Sequence, residues 1–329
     1  MRGPMTVQSL PAAPTHRVEV EFPEILRWAG GNTGIPYVWT FDSGREGPHL
    51  GIQALTHGNE VCGAFALDFF LAESLRPVRG KLSFCFANAA AYRNWNPEEP
   101  FKSRFVDEDF NRVWSDEVLN GTRDSAELRR ARELRPFYDS LDYLLDIHSM
   151  SDPCPPLMLA GVQRKGIELA LALGIPADII VDSGHAAGRR LRDYSHFDDA
   201  ADPRAALLIE CGQHWTRTSP SVAIQISLRF LRHFGLVDSA FIERHLEPGA
   251  SAPQRVIEVT MSVPIRTNSF SFLWPQDDSL TVVPQRGSLI ARDGETEIRT
   301  PYDHCALVMP MRRAAKPGDT AVRLGRFAG

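Results

Sequence analysis

The chain has 329 residues, of which 43% are apolar, and a formal net charge of -5 at pH 7. This length supports one large domain or a large domain with a small one, and the apolar content is sufficient for a packed core. The 36 Lys and Arg residues are spread along the chain, without the clustered basic stripe that is typical of nucleic-acid binding. The composition therefore argues against nucleic acid as a partner.

Segments for export or membrane anchoring are not apparent in the sequence. The first twenty residues lack a charged segment followed by a long apolar run, and no stretch of about eighteen consecutive apolar residues occurs. The five cysteines are widely spaced and mostly lie in apolar segments, as buried free thiols do. We therefore expect a cytoplasmic protein with no membrane partner, no disulfide framework and no cysteine zinc site.

From about residue 49, short apolar runs alternate with longer helical patterns, which is typical of strand and crossover-helix units. Strands are predicted at 49–55, 82–87, 143–147, 157–160, 179–181 and 206–209, and helices at 60–74, 125–138, 164–173 and 220–234. Several strands are continuously apolar, so helices should cover both faces of the sheet. The predicted fold class is α/β, with a mainly parallel, doubly wound mixed sheet.

A turn-rich stretch at 246–254 contains Pro248, Gly249 and Pro253, and no long helical pattern follows it. Alternating runs at 256–263, 269–274, 287–292 and 306–309 are separated by Pro and Gly and predict short strands. We therefore predict an α/β domain at 1–247 and a small β domain at 248–329.

A histidine and a glutamate three residues apart, His57 and Glu60, follow the first predicted strand, with Gly58 between them. Open α/β sheets place their functional sites at this carboxyl edge. The spacing alone is weak evidence, because His16 and Glu19 share it and residues 46 and 49 reverse it. His16 lies in a polar stretch with no buried strand ahead of it, which favours the His57 pair.

A second histidine, His148, ends the predicted strand 143–147. Alone, it is equally well interpreted as a histidine with satisfied hydrogen bonds. With His57 and Glu60 it completes a set of two histidines and one carboxylate. Such a set leaves one zinc position open for water, and the bound zinc lowers the pKa of that water to about 7. Asp146 would either brace a ligand from behind or serve as a buried structural carboxylate.

Further charged residues accompany these segments. Glu210 ends the apolar run 206–209, where a buried carboxylate needs a partner or a cation. Beside zinc it would move a proton from water to the leaving nitrogen, and the alternative is a salt bridge to an arginine. Arg104 and Arg112 could grip carboxylate oxygens, although composition alone favours a solvated charged loop.

Taken in order, four motifs resemble those of the succinylglutamate desuccinylase and aspartoacylase family, a branch of the zinc carboxypeptidase fold. The motifs are His57-Gly58-Asn59-Glu60, Asp109-Phe110-Asn111-Arg112, Asp146-Ile147-His148 and Glu210-Cys211-Gly212. The resemblance covers roughly residues 49–329 and includes the small C-terminal β domain, which in the family flanks the pocket.

The resemblance implies a role for each motif. One Zn²⁺ per chain would be bound by His57, Glu60 and His148, with Glu210 as general base and acid. The substrate carboxylate would be held by Asn111 and Arg112, and the scissile carbonyl polarised by Arg104. The loop 188–196 offers Arg192 and Tyr194 for the far end of the substrate, whereas His185, His196 and His214 are interpreted as loop histidines.

These features predict a zinc-dependent amidohydrolase that splits an N-acyl amino acid, or a similar small carboxylated amide, with zinc-bound water as nucleophile. One alternative is a metallocarboxypeptidase-like peptidase that takes the C-terminal carboxylate of a peptide at Arg112. The other is a catalytically idle carboxylate-binding module of the same fold. The sequence names neither the acyl group nor the amine, and it leaves a homo-oligomer open.

Overall fold

The computed structural model describes residues 17–185, 187–248, 253–274, 280–311 and 316–328. The chain forms two compact units. The larger contains Arg17–Ser151 and Pro156–Gln254, and the smaller contains Asp152–Pro155 together with the chain from Arg255 onward. The boundary at residue 247 stays a prediction, because residues 249–252 lie outside the described ranges.

Strands and helices alternate in the larger unit, whereas the smaller unit contains strands. The strands are β1 (Val38–Asp42), β2 (His49–Ala54), β3 (Lys81–Phe86), β4 (Tyr143–Met150), β5 (Leu157–Leu159), β6 (Asp178–Val181), β7 (Ala205–Gln213), β8 (Arg255–Pro264), β9 (Phe270–Phe272), β10 (Leu280–Val283), β11 (Leu289–Asp293), β12 (Thr296–Arg299), β13 (Cys305–Val308) and β14 (Thr320–Phe327). The α-helices are α1 (Cys62–Ala72), α2 (Ala89–Arg93), α3 (Asp116–Asn120), α4 (Ala126–Asp139), α5 (Arg164–Leu173), α6 (Ser219–His233) and α7 (Ser239–His245).

The strands of the larger unit lie in the order β1-β3-β2-β4-β7-β5-β6. Parallel pairs join β2 to β3 and β4, β4 to β7, and β5 to β6. The pairs β1–β3 and β5–β7 are antiparallel. The predicted mainly parallel, mixed sheet is confirmed, and all six strands predicted for this unit are present.

Helices pack on both faces of this sheet, as the continuously apolar strands require. A Cβ added at Gly63 of α1 would lie 2.8 Å from Ala54 Cβ and 3.0 Å from Ile147 Cβ, so α1 rests directly on that face. Leu144 belongs instead to a buried cluster that includes Leu134 of α4. Side chains alternate between faces along a strand, so Leu144 and Ile147 of β4 point to opposite sides. The doubly wound arrangement follows from these contacts.

The smaller unit is built from antiparallel strands in the orders β8-β14-β13-β10 and β12-β11-β9. Its apolar core is buried and includes Val283, Ile290, Leu307, Val322 and Leu324. The predicted small C-terminal β domain is thereby confirmed as a fold element.

Some elements are not anticipated by the sequence patterns. β1 pairs with one side of β3, and only its first residue, Val38, is buried, so the strand lacks the alternation of a half-buried strand. The helices α2 and α3 have five residues each, too few for a periodic pattern. Among the described helices, none is long and apolar enough to span a bilayer.

Candidate active site

Three adjacent parallel strands, β2, β4 and β7, end at one edge of the larger unit, and the predicted site residues gather there. His148 of β4 lies opposite Glu210 of β7 in the strand register. His57 and Glu60 follow the end of β2. His57, Glu60 and His148 are buried, and Glu210 is half-buried. Residues that are distant in sequence meet because the carboxyl ends of parallel strands share an edge.

The corner after β2 has an unusual backbone. Leu55 adopts a φ of 61°, a left-handed conformation that costs a non-glycine residue roughly 1–3 kcal/mol. A Cβ at Gly58 would lie 2.3 Å from Ser103 O and 2.4 Å from Tyr92 N, so only glycine fits. The Gly58 N–H donates to Arg104 O at 3.0 Å. The glycine between His57 and Glu60 therefore lets the segment that carries Arg104 dock against this corner.

The two imidazoles face the same carboxylate. His57 Nδ1 lies 2.7 Å from Glu60 Oε1, and His148 Nδ1 lies 2.9 Å from Glu60 Oε2. Candidate ligand atoms of the three residues lie within 4.8 Å of one another. His57 Nε2 is 2.9 Å from Asp109 Oδ1, and His148 Nε2 is 2.9 Å from Asp146 Oδ2. A metal-bound histidine typically donates the N–H of its second ring nitrogen to a carboxylate in this way. The set of candidate ligands therefore fits a metal ion.

Charge in the cluster also suits a cation. Burial alone would raise the pKa of Glu60, but the neighbouring His57 and His148 outweigh it and hold that pKa well below its usual value. Burial alone would lower the pKa of His148, but Asp146 and Glu60 outweigh it and raise that pKa well above its usual value. The carboxylates therefore stabilise positive charge at the imidazoles, which is the position of the candidate ligand atoms.

Asp146 is fully buried and has partners on both oxygens. Its Oδ1 accepts hydrogen bonds from Gln53 Nε2 at 3.0 Å and Thr56 Oγ1 at 2.8 Å, while Oδ2 faces His148. The contacts thus include both a candidate ligand, His148, and the polar partners of a buried structural carboxylate. Asp146 fixes the His148 ring and is itself fixed by polar side chains at the end of β2.

Arg104 lies within the cluster and not on a solvated loop. Its Nη1 is 3.1 Å from Glu60 Oε1, and its Nη2 is 3.2 Å from Asp109 Oδ2. Burial would raise the pKa of Asp109, but His57 and Arg104 outweigh it and lower that pKa. The Arg104 side chain is 25% exposed, so it is less buried than the candidate metal ligands that it contacts.

Glu210 differs from the other carboxylates of the site. Its Oε2 is buried and has no hydrogen-bond partner among the described residues. The alternative of a salt bridge to an arginine is likewise not found for Glu210 among those residues. Burial and, next, the charge of Glu60 raise the pKa of Glu210 to about 8. A carboxyl group with an unused oxygen and a pKa near neutrality suits proton transfer.

Asn111 and Arg112 adjoin the cluster through Asp109. The Asn111 N–H donates to Asp109 Oδ1 at 2.8 Å, and the amide oxygen of the same residue accepts from Leu191 N at 2.9 Å. Arg112 Nη2 lies 4.0 Å from Asp109 Oδ2. Asn111 thus anchors the loop that contains Leu191, and the binding of a substrate carboxylate by Asn111 and Arg112 stays a prediction.

Arg192 is placed in the protein interior. The side chain is 1% exposed, forms an ion pair with Asp193 and donates to Ala206 O at 3.4 Å. Its guanidinium occupies the space where Gly161 lacks a side chain. These contacts correct the expectation of a substrate-binding residue, because they commit the guanidinium to the fold.

Tyr194 is likewise committed to the interior. Its hydroxyl donates to Asp139 Oδ1 at 2.8 Å and accepts from Arg135 Nε at 3.0 Å. Asp139 is the last residue of α4, and the Tyr194 ring packs 5.5 Å from Trp114 between ring centroids. The structure therefore argues against the predicted contact with the far end of a substrate.

Ser149 and His214 belong to the surroundings of the site, although the sequence patterns do not indicate Ser149 and predict a loop histidine at His214. Ser149 N donates to Glu60 Oε2 at 3.2 Å, and its Oγ lies 2.9 Å from His214 Nδ1. His214 is 1% exposed and directly follows β7. Its position just after a buried strand is the signal that could have found it. His16 lies outside the described residues.

The family model of the succinylglutamate desuccinylase/aspartoacylase catalytic domain matches residues 46–233, more than half of the chain. The chain belongs to this family. The matched range contains the candidate metal ligands, Arg104, Asn111, Arg112 and Glu210.

Solved structures share the fold of this family member. Succinylglutamate desuccinylase from Vibrio cholerae aligns with a TM-score of 0.64 and 17% identity over 89% of this chain and 86% of that one. The Vibrio parahaemolyticus enzyme of the same name aligns with a TM-score of 0.62 and 17% identity over 86% of this chain and 83% of that one. An aspartoacylase family protein from Mesorhizobium loti aligns with a TM-score of 0.60 and 17% identity over 89% of each chain. No curated protein matches the chain significantly.

Proposed function

We propose that this family member is a zinc-dependent amidohydrolase that cleaves a small carboxylated amide, such as an N-acyl amino acid, into a carboxylic acid and an amine. The main support is the meeting at one sheet edge of a buried His-Glu-His set and the unpartnered carboxyl oxygen of Glu210. Arg104 lies beside the same set. The family match and the resemblance of the four motifs support the same class of reaction.

Zinc would be held by His57, Glu60 and His148, a three-residue donor set of the type found in catalytic zinc sites. When bound, zinc supplies Lewis acidity and lowers the pKa of water. Asp109 and Asp146 would keep the two imidazoles in the tautomer that presents Nδ1, since each carboxylate faces an Nε2 nitrogen.

Glu210 would act as the general base and then the general acid. It takes a proton from the attacking water as the new C–O bond forms, and it returns a proton to the nitrogen as the C–N bond breaks. Arg104 would stabilise the negative charge that develops on the carbonyl oxygen. Arg112 and Asn111 would hold the carboxylate of the substrate and so orient the amide.

The proposal is tested by metal analysis of the purified protein and by a panel of N-acetyl, N-succinyl and other N-acyl amino acids, with dipeptides alongside. We expect one zinc per chain and hydrolysis of at least one acyl amino acid. Cleavage of dipeptides alone would indicate a peptidase, and binding without cleavage would indicate an idle module. A protein that stays metal-free after zinc addition would contradict the proposal.

A further inference from the structure

A second buried glutamate, Glu127 in the first turn of α4, lies outside the cluster and is fully buried. Its Oε1 accepts hydrogen bonds from the backbone N–H of Val106 at 2.7 Å and from Asn88 Nδ2 at 3.0 Å. Its Oε2 accepts from the backbone N–H groups of Asp107 at 3.0 Å and Glu108 at 3.2 Å. Three successive backbone amides therefore converge on one carboxylate.

This arrangement resembles an anion-binding concavity that is filled by the protein's own side chain. Successive backbone N–H groups form such concavities, and hydrogen bonds to a charged group are roughly twice as strong as neutral ones. An isolated carboxylate would be costly to bury, and four donors satisfy this one. The Glu127 carboxylate thus holds the backbone of residues 106–108 against the start of α4.

The anchored segment lies between two residues of the candidate site. Arg104 precedes it and Asp109 follows it, and both side chains contact the metal-ligand cluster. On the side of β2, Arg104 O accepts from the Gly58 N–H at 3.0 Å. The backbone that carries Arg104 and Asp109 is therefore fixed at one point by Gly58 and at another by Glu127.

We propose that Glu127 is a positioning residue that sets the placement of Arg104 and Asp109 at the reaction centre. This inference rests on the proposed function, in which Arg104 stabilises developing charge and Asp109 orients His57. Glu127 makes no contact with the candidate metal ligands in the described part of the chain, so it acts only through the segment. Its substitution should therefore lower turnover while all three candidate zinc ligands remain, so that the chain still binds zinc when zinc is supplied in excess.

The test is Glu127→Gln, which keeps one carbonyl oxygen and turns an NH₂ group toward backbone donors. We expect faster amide hydrogen exchange at residues 106–108 and zinc content unchanged at one per chain. The turnover number should fall by roughly ten- to hundredfold, with a smaller change in KM, because a displacement of about 1 Å can cost about 100-fold in rate.

A matched control is Asp238→Ala, which removes a side-chain cap from α7, where Asp238 Oδ1 accepts from Ala240 N at 3.0 Å. It lowers stability without touching the anchored segment, so turnover at a temperature well below unfolding should be unchanged. The inference is wrong if exchange at 106–108 or turnover is unaltered in Glu127→Gln. It is also wrong if Asp238→Ala reproduces the loss of turnover.

A milder variant, Asn88→Ser, serves if Glu127→Gln does not fold. It keeps a hydroxyl oxygen of the kind that caps helices at the start of α2 but removes the Nδ2 donor to Glu127 Oε1. We expect the same direction of change in exchange and turnover. If the wild-type chain hydrolyses no amide, the proposed function fails separately, and the exchange at residues 106–108 alone then decides whether Glu127 anchors the segment.

Discussion

The strand β2 has a histidine at its first residue and another shortly after its last, and their surroundings differ in charge. His49 Nδ1 is 3.0 Å from Ser140 O, and His49 Nε2 is 2.7 Å from Ser83 Oγ. The Ser83 hydroxyl lies in turn 2.7 Å from Thr40 Oγ1. A neutral imidazole satisfies both of these neutral ring partners, and no carboxylate oxygen accepts from the His49 ring among the described hydrogen bonds.

At the other end, each imidazole lies between two carboxylates. His57 faces Glu60 and Asp109, and His148 faces Glu60 and Asp146. Such a set needs compensating positive charge, which Arg104 supplies in part and which protons or a metal ion would complete. The charge of the hydrogen-bond partners therefore distinguishes a structural histidine from a candidate ligand, whereas residue type and nearness to a strand end do not.

The strongest test of this comparison exchanges one histidine at a time. We expect His57→Ala to lose zinc, with a drop in affinity greater than the roughly 10- to 100-fold that loss of an outer-shell partner costs. Hydrolysis should vanish with the metal. His49→Ala should keep one zinc per chain and its turnover. Metal analysis and rate measurements on both variants check this, and zinc loss in His49→Ala would mean that a histidine with neutral partners also supports metal binding.

Glu210→Gln should have the next largest effect. Because Glu210 is assigned to proton transfer and not to metal binding, turnover should fall by about 100- to 10,000-fold while zinc stays bound. Rates at saturating substrate, together with metal content, provide the measurement. Loss of zinc from this variant would mean that Glu210 is a ligand and that the roles are misassigned.

Asp146→Asn should have a smaller effect on the metal. The amide can no longer balance charge on His148, so zinc affinity should fall by about 10- to 100-fold. Competition with a chelator measures this affinity. An unchanged affinity would show that Asp146 serves only its hydrogen bonds to Gln53 and Thr56.

The smallest effect concerns pH at the opposite end of β2. Burial lowers the pKa of His49, opposed in part by its bond to Ser140 O and aided by Lys81. Its contribution to stability should be complete above about pH 6.5, the unfolded value, and should be lost as pH falls below it. Above that pH, His49→Ala should be less stable than wild type by about 1–2 kcal/mol.

Denaturant unfolding of the wild type and of His49→Ala at pH 7.5 and pH 5.5 gives this difference. We expect the gap between the two proteins to narrow at the lower pH, because only the wild type loses the contribution of His49. A gap that widens on acidification would mean that folding raises the pKa of His49 instead.

Much of the fold could be read from the sequence because burial leaves a periodic record. Continuously apolar runs located the strands of the parallel sheet, and the helix predicted at 164–173 has the same bounds in the structure. β1 was not predicted because its own residues lack a strand pattern, and the strand forms by pairing with β3. The motifs likewise located the candidate ligands, because each motif that contains a ligand lies at or just after the end of an apolar strand and the strand ends share one edge of the sheet.

Contacts between distant segments were not readable. Arg192 and Tyr194 seemed suited to a substrate, but Asp193 and Asp139 engage them inside the protein. Glu127 lies within the helix predicted at 125–138, and only folding brings the amides of residues 106–108 to its carboxylate.

The fold class, the family resemblance and the candidates His57, Glu60, His148 and Glu210 could all be predicted from the sequence. This was possible because residue type and burial pattern are local properties of the chain. The tertiary structure decided which charges meet: Asp109 against His57, Arg104 against Glu60, and neutral partners around His49. Electrostatic interactions depend on distances through space, which the order of residues along the chain does not specify.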